Sequence, residues 1–289
     1  MTNTQARDPK RKHMGFLDLG DLPRQWAELE AVSTRYAEVE ATWSDRGGLS
    51  SRAIDERLTA GHRGYMAAHR CLSAAMDNHE ALLAVLEHHG ATNWAPWNLL
   101  RPTFEAAFYA AWLMEPDDTL TRRQRGLRFE WLDELEHRKH YANLRKLPMP
   151  PGLQEQAETQ WASHEARIKD HDAIYRGEAE SLGLTWPLAR SVNVTAELGS
   201  LGLPGLTPES RRVALLATWG TLSGLQHGRA STLLRGMDRT DGRRVLGGSE
   251  TTLTISDKAF VSEATVTCTL HRYALTLAVR RHASPGVYT

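Results

Sequence analysis

Two stretches of the chain carry charged or nucleophilic side chains at helical spacing. In the first, Arg101 and Glu105 stand four residues apart within an otherwise apolar segment. A charge withdrawn from water needs a partner. The two therefore either tie helices together as an i,i+4 ion pair, or build a pocket where the Arg101 fork grips a phosphodiester or other anion and Glu105 orients it. In the second, Trp219, Ser223 and His227 recur every four residues and share one helical face. Ser223 Oγ can reach the His227 ring across one turn, as a nucleophile reaches its base; the same pair also suits a hydrogen-bonded core histidine. Gly220, Gly224 and Gly228 form a parallel stripe. Each costs about 1 kcal/mol against alanine inside a helix, so the stripe marks a close approach by a neighbouring helix or a ligand. If the four residues converge on a phosphodiester, His227 acts as general acid and base, Arg101 stabilises charge, Glu105 orients it and Ser223 positions the substrate.

Three further patterns are weaker. Arg63-x5-His69 has the loose R-x4–6-H spacing of a metal-independent ribonuclease, in which histidine handles a proton and arginine the charge on phosphorus. Glu134-x2-His137 has the spacing of helical di-iron sites, which need a second such pair that this chain lacks. His164 and His171, seven apart, share one side of a helix. No metal and no cofactor are expected.

The segments LLRPTFEAAFYAAWLMEP (Leu99–Pro116) and TWGTLSGLQHGRAS (Thr218–Ser231) resemble a group of poorly characterised bacterial helical proteins, HEPN-like or abortive-infection-like. In that group an Arg-x3-Glu helix precedes a Ser-x3-His-Gly helix. The resemblance implies an all-α bundle, often dimeric, with a role in defence against mobile elements. It departs from active HEPN ribonucleases at His227, which has Ser223 before it where an arginine would stand.

The elements that must position these residues read as helices. Pro23 opens the first, where Leu29, Val32, Tyr36, Val39 and Trp43 form a heptad seam suited to a homodimer. Ser50 caps a second that runs to His89, with a bend at Gly61 and Gly64 and a face of Ile54, Leu58, Tyr65, Leu72, Met76, Leu83 and Leu86. Others are expected at 96–114, 119–146, 153–182, 188–198, 208–235 and 257–282. The spacing therefore predicts an all-α bundle of seven or eight helices, with one short strand at Thr251–Ile255. Trp112, Phe104, Phe108, Leu127, Trp131 and Leu215 are the expected core. Residues 1–20 read as a flexible basic tail and 21–289 as a single helical domain, with 148–152 as the strongest internal break.

Composition narrows the function classes. Among 289 residues, 35 acidic and 35 basic side chains cancel, which argues against nucleic-acid binding through bulk positive charge but leaves a local patch open. Only six of the basic residues are lysine. Two cysteines, Cys71 and Cys268, exclude a disulfide scaffold. The longest apolar run, Ala106 to Met114, is too short to span a bilayer, and the basic start has no apolar stretch after it. A cytoplasmic protein with no membrane contact is expected. Its partners would be a second copy through the Leu29–Trp43 seam and an RNA or nucleotide ligand. The competing class is a non-catalytic interaction module in which Arg101, Glu105, Ser223 and His227 form a buried structural network.

Overall fold

The computed structural model describes residues 18–43, 48–90, 94–148, 150–189, 191–229, 231–233, 237–245 and 248–283. The basic tail up to residue 17 lies outside them. The fold is all-α. Its elements are α1 (Leu22–Ala41), α2 (Ser51–Glu56), α3 (Gly61–His89), α4 (Ala95–Met114), α5 (Thr119–Leu144), α6 (Gln154–Ser181), α7 (Val194–Leu198), α8 (Pro208–Gln226) and α9 (Asp257–His282). A hairpin of β1 (Met237–Val245) and β2 (Gly248–Ile255) precedes α9. The expected strand at Thr251–Ile255 lies within β2. Its antiparallel partner β1 occupies what reads in sequence as polar loop, with Thr240 opposite Thr252 and an irregularity between Asp241 and Arg244. Among the described residues no helix is long and apolar enough to cross a membrane.

The chain forms two compact units. One comprises Met1–Glu38, Arg70–Ala111 and Leu198–Thr276, the other Val39–His69, Trp112–Glu197 and Leu277–Thr289. The 148–152 break falls inside the second unit. In the first unit Phe104, Phe108, Leu215, Leu222 and Phe260 are buried, and Trp97 meets Phe260 edge to face at 5.6 Å. In the second, Leu127, Trp131, Tyr175, Ala179, Leu182 and Leu188 pack together, with Trp131 4.6 Å from Trp186. All six residues expected in the core are buried. On the α1 seam, Leu29 and Tyr36 are already buried within one chain, while Val32, Val39 and Trp43 are half-buried.

The expected continuous helix from Ser50 to His89 is two helices, which raises the helix number above the seven or eight expected. Ser50 does cap α2, accepting the Ala53 N–H at 3.1 Å. The chain then reverses through residues 57–60, where Ala60 has φ of 59°. A Cβ on Gly61 would lie 1.7 Å from the Asp55 carbonyl oxygen, so this glycine serves a close turn rather than a bend. The break also changes which face is buried. Ile54 and Leu58, expected inside, are exposed, and Arg52, Ala53 and Asp55 are buried instead.

Asp55 is fully buried and explains that inversion. Its carboxylate accepts from Arg122 Nε at 2.7 Å, from Arg122 Nη2 at 2.9 Å and from the Tyr65 hydroxyl at 2.7 Å. Burial, reinforced by the Asp55 charge, holds the Tyr65 phenol protonated well above its ordinary range. Arg122 also donates to the carbonyls of Pro116 and Asp117 at 2.7 and 2.8 Å. Arg281 donates to those of Met114, Glu115 and Pro116 at 2.8–2.9 Å. The two guanidinium groups thereby satisfy carbonyls that the end of α4 leaves without helical partners. Beside them, α3 and α5 meet backbone to backbone: a Cβ on Gly126 would come within 2.5 Å of the Gly64 amide nitrogen. Glu40 accepts from Arg52 at 2.7 Å, and its Oε2 lies 2.7 Å from His282 Nε2. The His282 hydrogen bond, then the Arg52 contact, offset partial burial and hold the Glu40 carboxyl down at about 2.

Two outcomes follow from these pairs. Arg122→Ala leaves the buried Asp55 carboxylate with Tyr65 but without its cation, and urea unfolding is expected to show a loss of about 3–5 kcal/mol. Glu40 has a folded pKa below its unfolded value, so its stabilisation is present above about pH 4.5 and is lost as pH falls toward 2. Allowing for solvent screening, Glu40→Gln is expected to remove about 1–2 kcal/mol of the acid sensitivity between pH 5 and pH 2.5.

Candidate functional site

The four residues singled out in sequence all fall in the first unit. Arg101 sits on α4, 8% exposed. Its Nε donates to Glu105 Oε2 at 3.3 Å, and its guanidinium carbon lies 3.9 Å from the centre of the Trp219 ring on α8. Phe104 flanks the same indole at 6.3 Å. Arg101 Nη1 is buried, with no hydrogen-bond partner among the described residues. The stripe Trp219-Ser223-His227 is therefore engaged at its first member. Ser223 is half-buried one turn further on, and His227 is exposed. No hydrogen bond joins Ser223 Oγ to the His227 ring, or either residue to Arg101 or Glu105, among the described residues. Arg101, Glu105 and Trp219 thus come together, while Ser223 and His227 make no hydrogen bond to them among the described residues.

The His227-Gly228 pair has a local explanation. The helix expected to reach residue 235 stops at Gln226, and His227 is its C-terminal cap. Gly228 takes φ of +61°, Arg229 N–H bonds the Gly224 carbonyl at 2.9 Å, and Gly228 N–H bonds the Leu225 carbonyl at 3.0 Å. This is a Schellman cap, which needs a left-handed residue where Gly228 stands. The glycine stripe likewise divides into separate causes. A Cβ on Gly224 would meet Thr232 at 2.1–2.8 Å, whereas a Cβ on Gly220 would meet nothing within 4 Å. Only Gly224 marks the close approach that the stripe announces.

The other patterns resolve into ion pairs. Arg63 donates to Glu178 at 2.7 Å and lies 4.4 Å over the Tyr175 ring; His69 is half-buried. Glu134 serves Arg138 at 2.8 Å and His171 at 3.2 Å rather than His137.

A different cluster, in the second unit, has the character of a site. Antiparallel α5 and α6 enclose a cavity of about 290 Å³ lined by Arg138, Tyr141, Arg145, Lys146, Trp161 and His164, with Ala142, Glu165 and Ile168 completing the wall. His164 is 6% exposed. Its ring stacks on Tyr141 at 3.7 Å and meets His137 edge-on at 5.1 Å. Burial first, then the positive charge of His137 and Arg167, holds the His164 pKa below its ordinary value, which favours the neutral ring. Arg138 is held by Glu134, by Asp172 at 2.7 Å and by the Trp131 ring at 4.8 Å. Even so, Arg138 Nη2 and His164 Nε2 are both buried without a hydrogen-bond partner among the described residues. Arg145 pairs with Glu165 and lies 5.7 Å from the Trp161 ring centre, and Lys146 reaches Asn143 at 3.4 Å.

In the sequence, His164 stands out only by its spacing from His171, and Trp161 does not stand out as a site residue. The available signal was the density of aromatic, imidazole and cationic side chains between His137 and Lys146 and again at Trp161–His164. It lacked the antiparallel pairing that brings those two runs together.

Gly220 and Gly224, one helical turn apart, are expected to respond oppositely to an added methyl group. Gly220→Ala should stabilise by about 0.5–1 kcal/mol. Gly224→Ala should destabilise by about 1–3 kcal/mol through overpacking against Thr232. His227→Ala, on an exposed cap, should stay within about 0.5 kcal/mol of the parent in thermal unfolding.

Comparison with protein-family models, with curated proteins and with solved structures returned no match.

Proposed function

We propose that the chain binds a phosphate-bearing ligand with a planar ring, a nucleotide either free or at the end of an RNA strand, in the α5–α6 cavity. The observation that carries this reading is the pair of buried polar atoms without partners, Arg138 Nη2 and His164 Nε2, on side chains lining one cavity. A buried donor left unmade costs about 1–3 kcal/mol, and an anionic oxygen arriving there removes that cost. Arg145 and Lys146 supply positive charge at the same wall. Trp161 offers a half-buried ring, and stacking of a base on an aromatic side chain contributes about 1–3 kcal/mol. Such a local patch is compatible with a chain of zero formal charge. A role in defence, in keeping with the HEPN-like resemblance, would rest on recognition of this ligand.

A second reading concerns the Arg101 group. The stack on Trp219 and the bond to Glu105 favour a structural network that fixes α4 against α8, the non-catalytic alternative, over a ribonuclease centre with Ser223 and His227.

Adenosine monophosphate, a short single-stranded RNA, adenosine and inorganic phosphate can be titrated by calorimetry. The nucleotide and the RNA are expected to bind more tightly than either fragment. The Arg145→Ala, Lys146→Ala double variant, altered on the surface, should weaken both by at least about tenfold, the value of one charge-assisted contact. Trp161→Leu should weaken the nucleotide and leave phosphate unchanged. Absence of binding at millimolar concentration, or equal binding by the double variant, overturns the proposal.

A further inference from the structure

The first unit holds a second cavity, of about 370 Å³, among α1, α3 and α9. Two helices contribute to its wall with the same spacing. From α1 come Trp26, Leu29, Glu30 and Ser33, and from α3 come Met76, His79, Glu80 and Leu83, each set at i, i+3, i+4 and i+7. That spacing is one face of a helix. In both sets the residue at i+4 is an exposed glutamate. From α9 comes His271, 1% exposed, with both ring nitrogens buried and without hydrogen-bond partners among the described residues. The imidazoles are in contact, His79 meeting His271 edge to face at 6.2 Å and Trp26 at 6.1 Å. Pro23 and Ala27 complete an otherwise apolar wall.

The charges decide what such a wall accepts. Glu30 and Glu80 are its acidic side chains, and neither lysine nor arginine lines it. Burial holds His79 down to about 4 and His271 down to about 3, so both rings are neutral at pH 7. Each then keeps one nitrogen as a hydrogen-bond acceptor. Each ring also keeps one N–H, so the imidazoles accept either sign; the two carboxylates and the Trp26 ring system favour an N–H-bearing cation over an anion. The Leu29, Met76 and Leu83 side chains provide for an apolar body, and the volume is within the range of small-molecule pockets, about 300–1,000 Å³.

We propose that this cavity binds a small organic ammonium ion carrying an apolar or aromatic body. The ammonium group lies toward Glu30, Glu80 and the acceptor nitrogens of His79 and His271, and the body lies against Leu29, Met76 and Leu83. This site is independent of the α5–α6 cavity, whose charged lining is Arg138, Arg145, Lys146 and Glu165.

Three probes of one shape separate charge from shape: 2-phenylethylammonium, 2-phenylethanol and phenylacetate, titrated into the full chain at pH 7.5 by calorimetry. The ammonium ion is expected to bind at least about tenfold more tightly than the alcohol, with the carboxylate weakest, in line with the Coulomb difference near two carboxylates. The Glu30→Gln, Glu80→Gln double variant changes exposed side chains only, so it should keep its circular dichroism and lose the preference for the ammonium ion. Ring-proton resonances of His79 and His271 should shift with the ammonium probe at the same occupancy that calorimetry reports. Equal affinity for the three probes, no binding by any of them at millimolar concentration, or an undiminished preference in the double variant overturns the proposal.

Discussion

The buried pair of Asp55 and Arg122 is the constraint around which the second unit is arranged. A carboxylate with no exposed surface needs a cation and further donors in place of its water, and here Arg122 and Tyr65 supply them. Meeting that condition requires α2 to be short and turned inward. It requires Gly61 at the return, and a close crossing of α3 and α5 at Gly64 and Gly126. The remaining Arg122 donors and Arg281 then collect the carbonyls between α4 and α5, so one electrostatic requirement organises a turn, a helix crossing and a helix end. Helix propensity alone dictates none of these.

The contrast between satisfied and unsatisfied buried polar groups separates scaffold from site. Asp55, Arg122 and Glu40 use their hydrogen-bonding capacity inside the protein. Arg138, His164 and His271 do not. Arg101 lies between the two cases, stacked and paired but with one nitrogen unused. Side chains of the first kind fix the fold, and those of the second, where they line a cavity, leave chemistry available to a ligand. The charged side chains lining the first cavity are Arg138, Arg145, Lys146 and Glu165, and those lining the second are Glu30 and Glu80.

Much of the helical layout was legible in the sequence because its punctuation is local. Pro23 stands at the start of α1, Ser50 caps α2, and the expected spans 96–114 and 257–282 match α4 and α9 nearly to the residue. The break at 57–60 was not legible, because its left-handed residue is Ala60, which advertises no turn, and because the force behind it is a partner 67 positions away in sequence. At His227-Gly228 a helix stop was mistaken for a helix interior with chemistry on it; glycine signals both. The Arg101–Glu105 pair was legible from its i,i+4 spacing, whereas the α5–α6 cavity depends on which faces of two antiparallel helices meet, and neither helix encodes that by itself.

The preference for arginine over lysine, visible as six lysines among 35 basic residues, has a structural counterpart in the stacks of Arg52 on Trp43, Arg63 on Tyr175, Arg101 on Trp219, Arg125 on Trp112 and Arg138 on Trp131. A guanidinium is planar and weakly hydrated, so it lies flat on a ring where an ammonium would hold its water. The cost of withdrawing charge from water falls as temperature rises, while apolar burial levels off. A core bound by such stacks therefore depends on heat differently from one made of aliphatic side chains: on warming, its share of the cohesion grows.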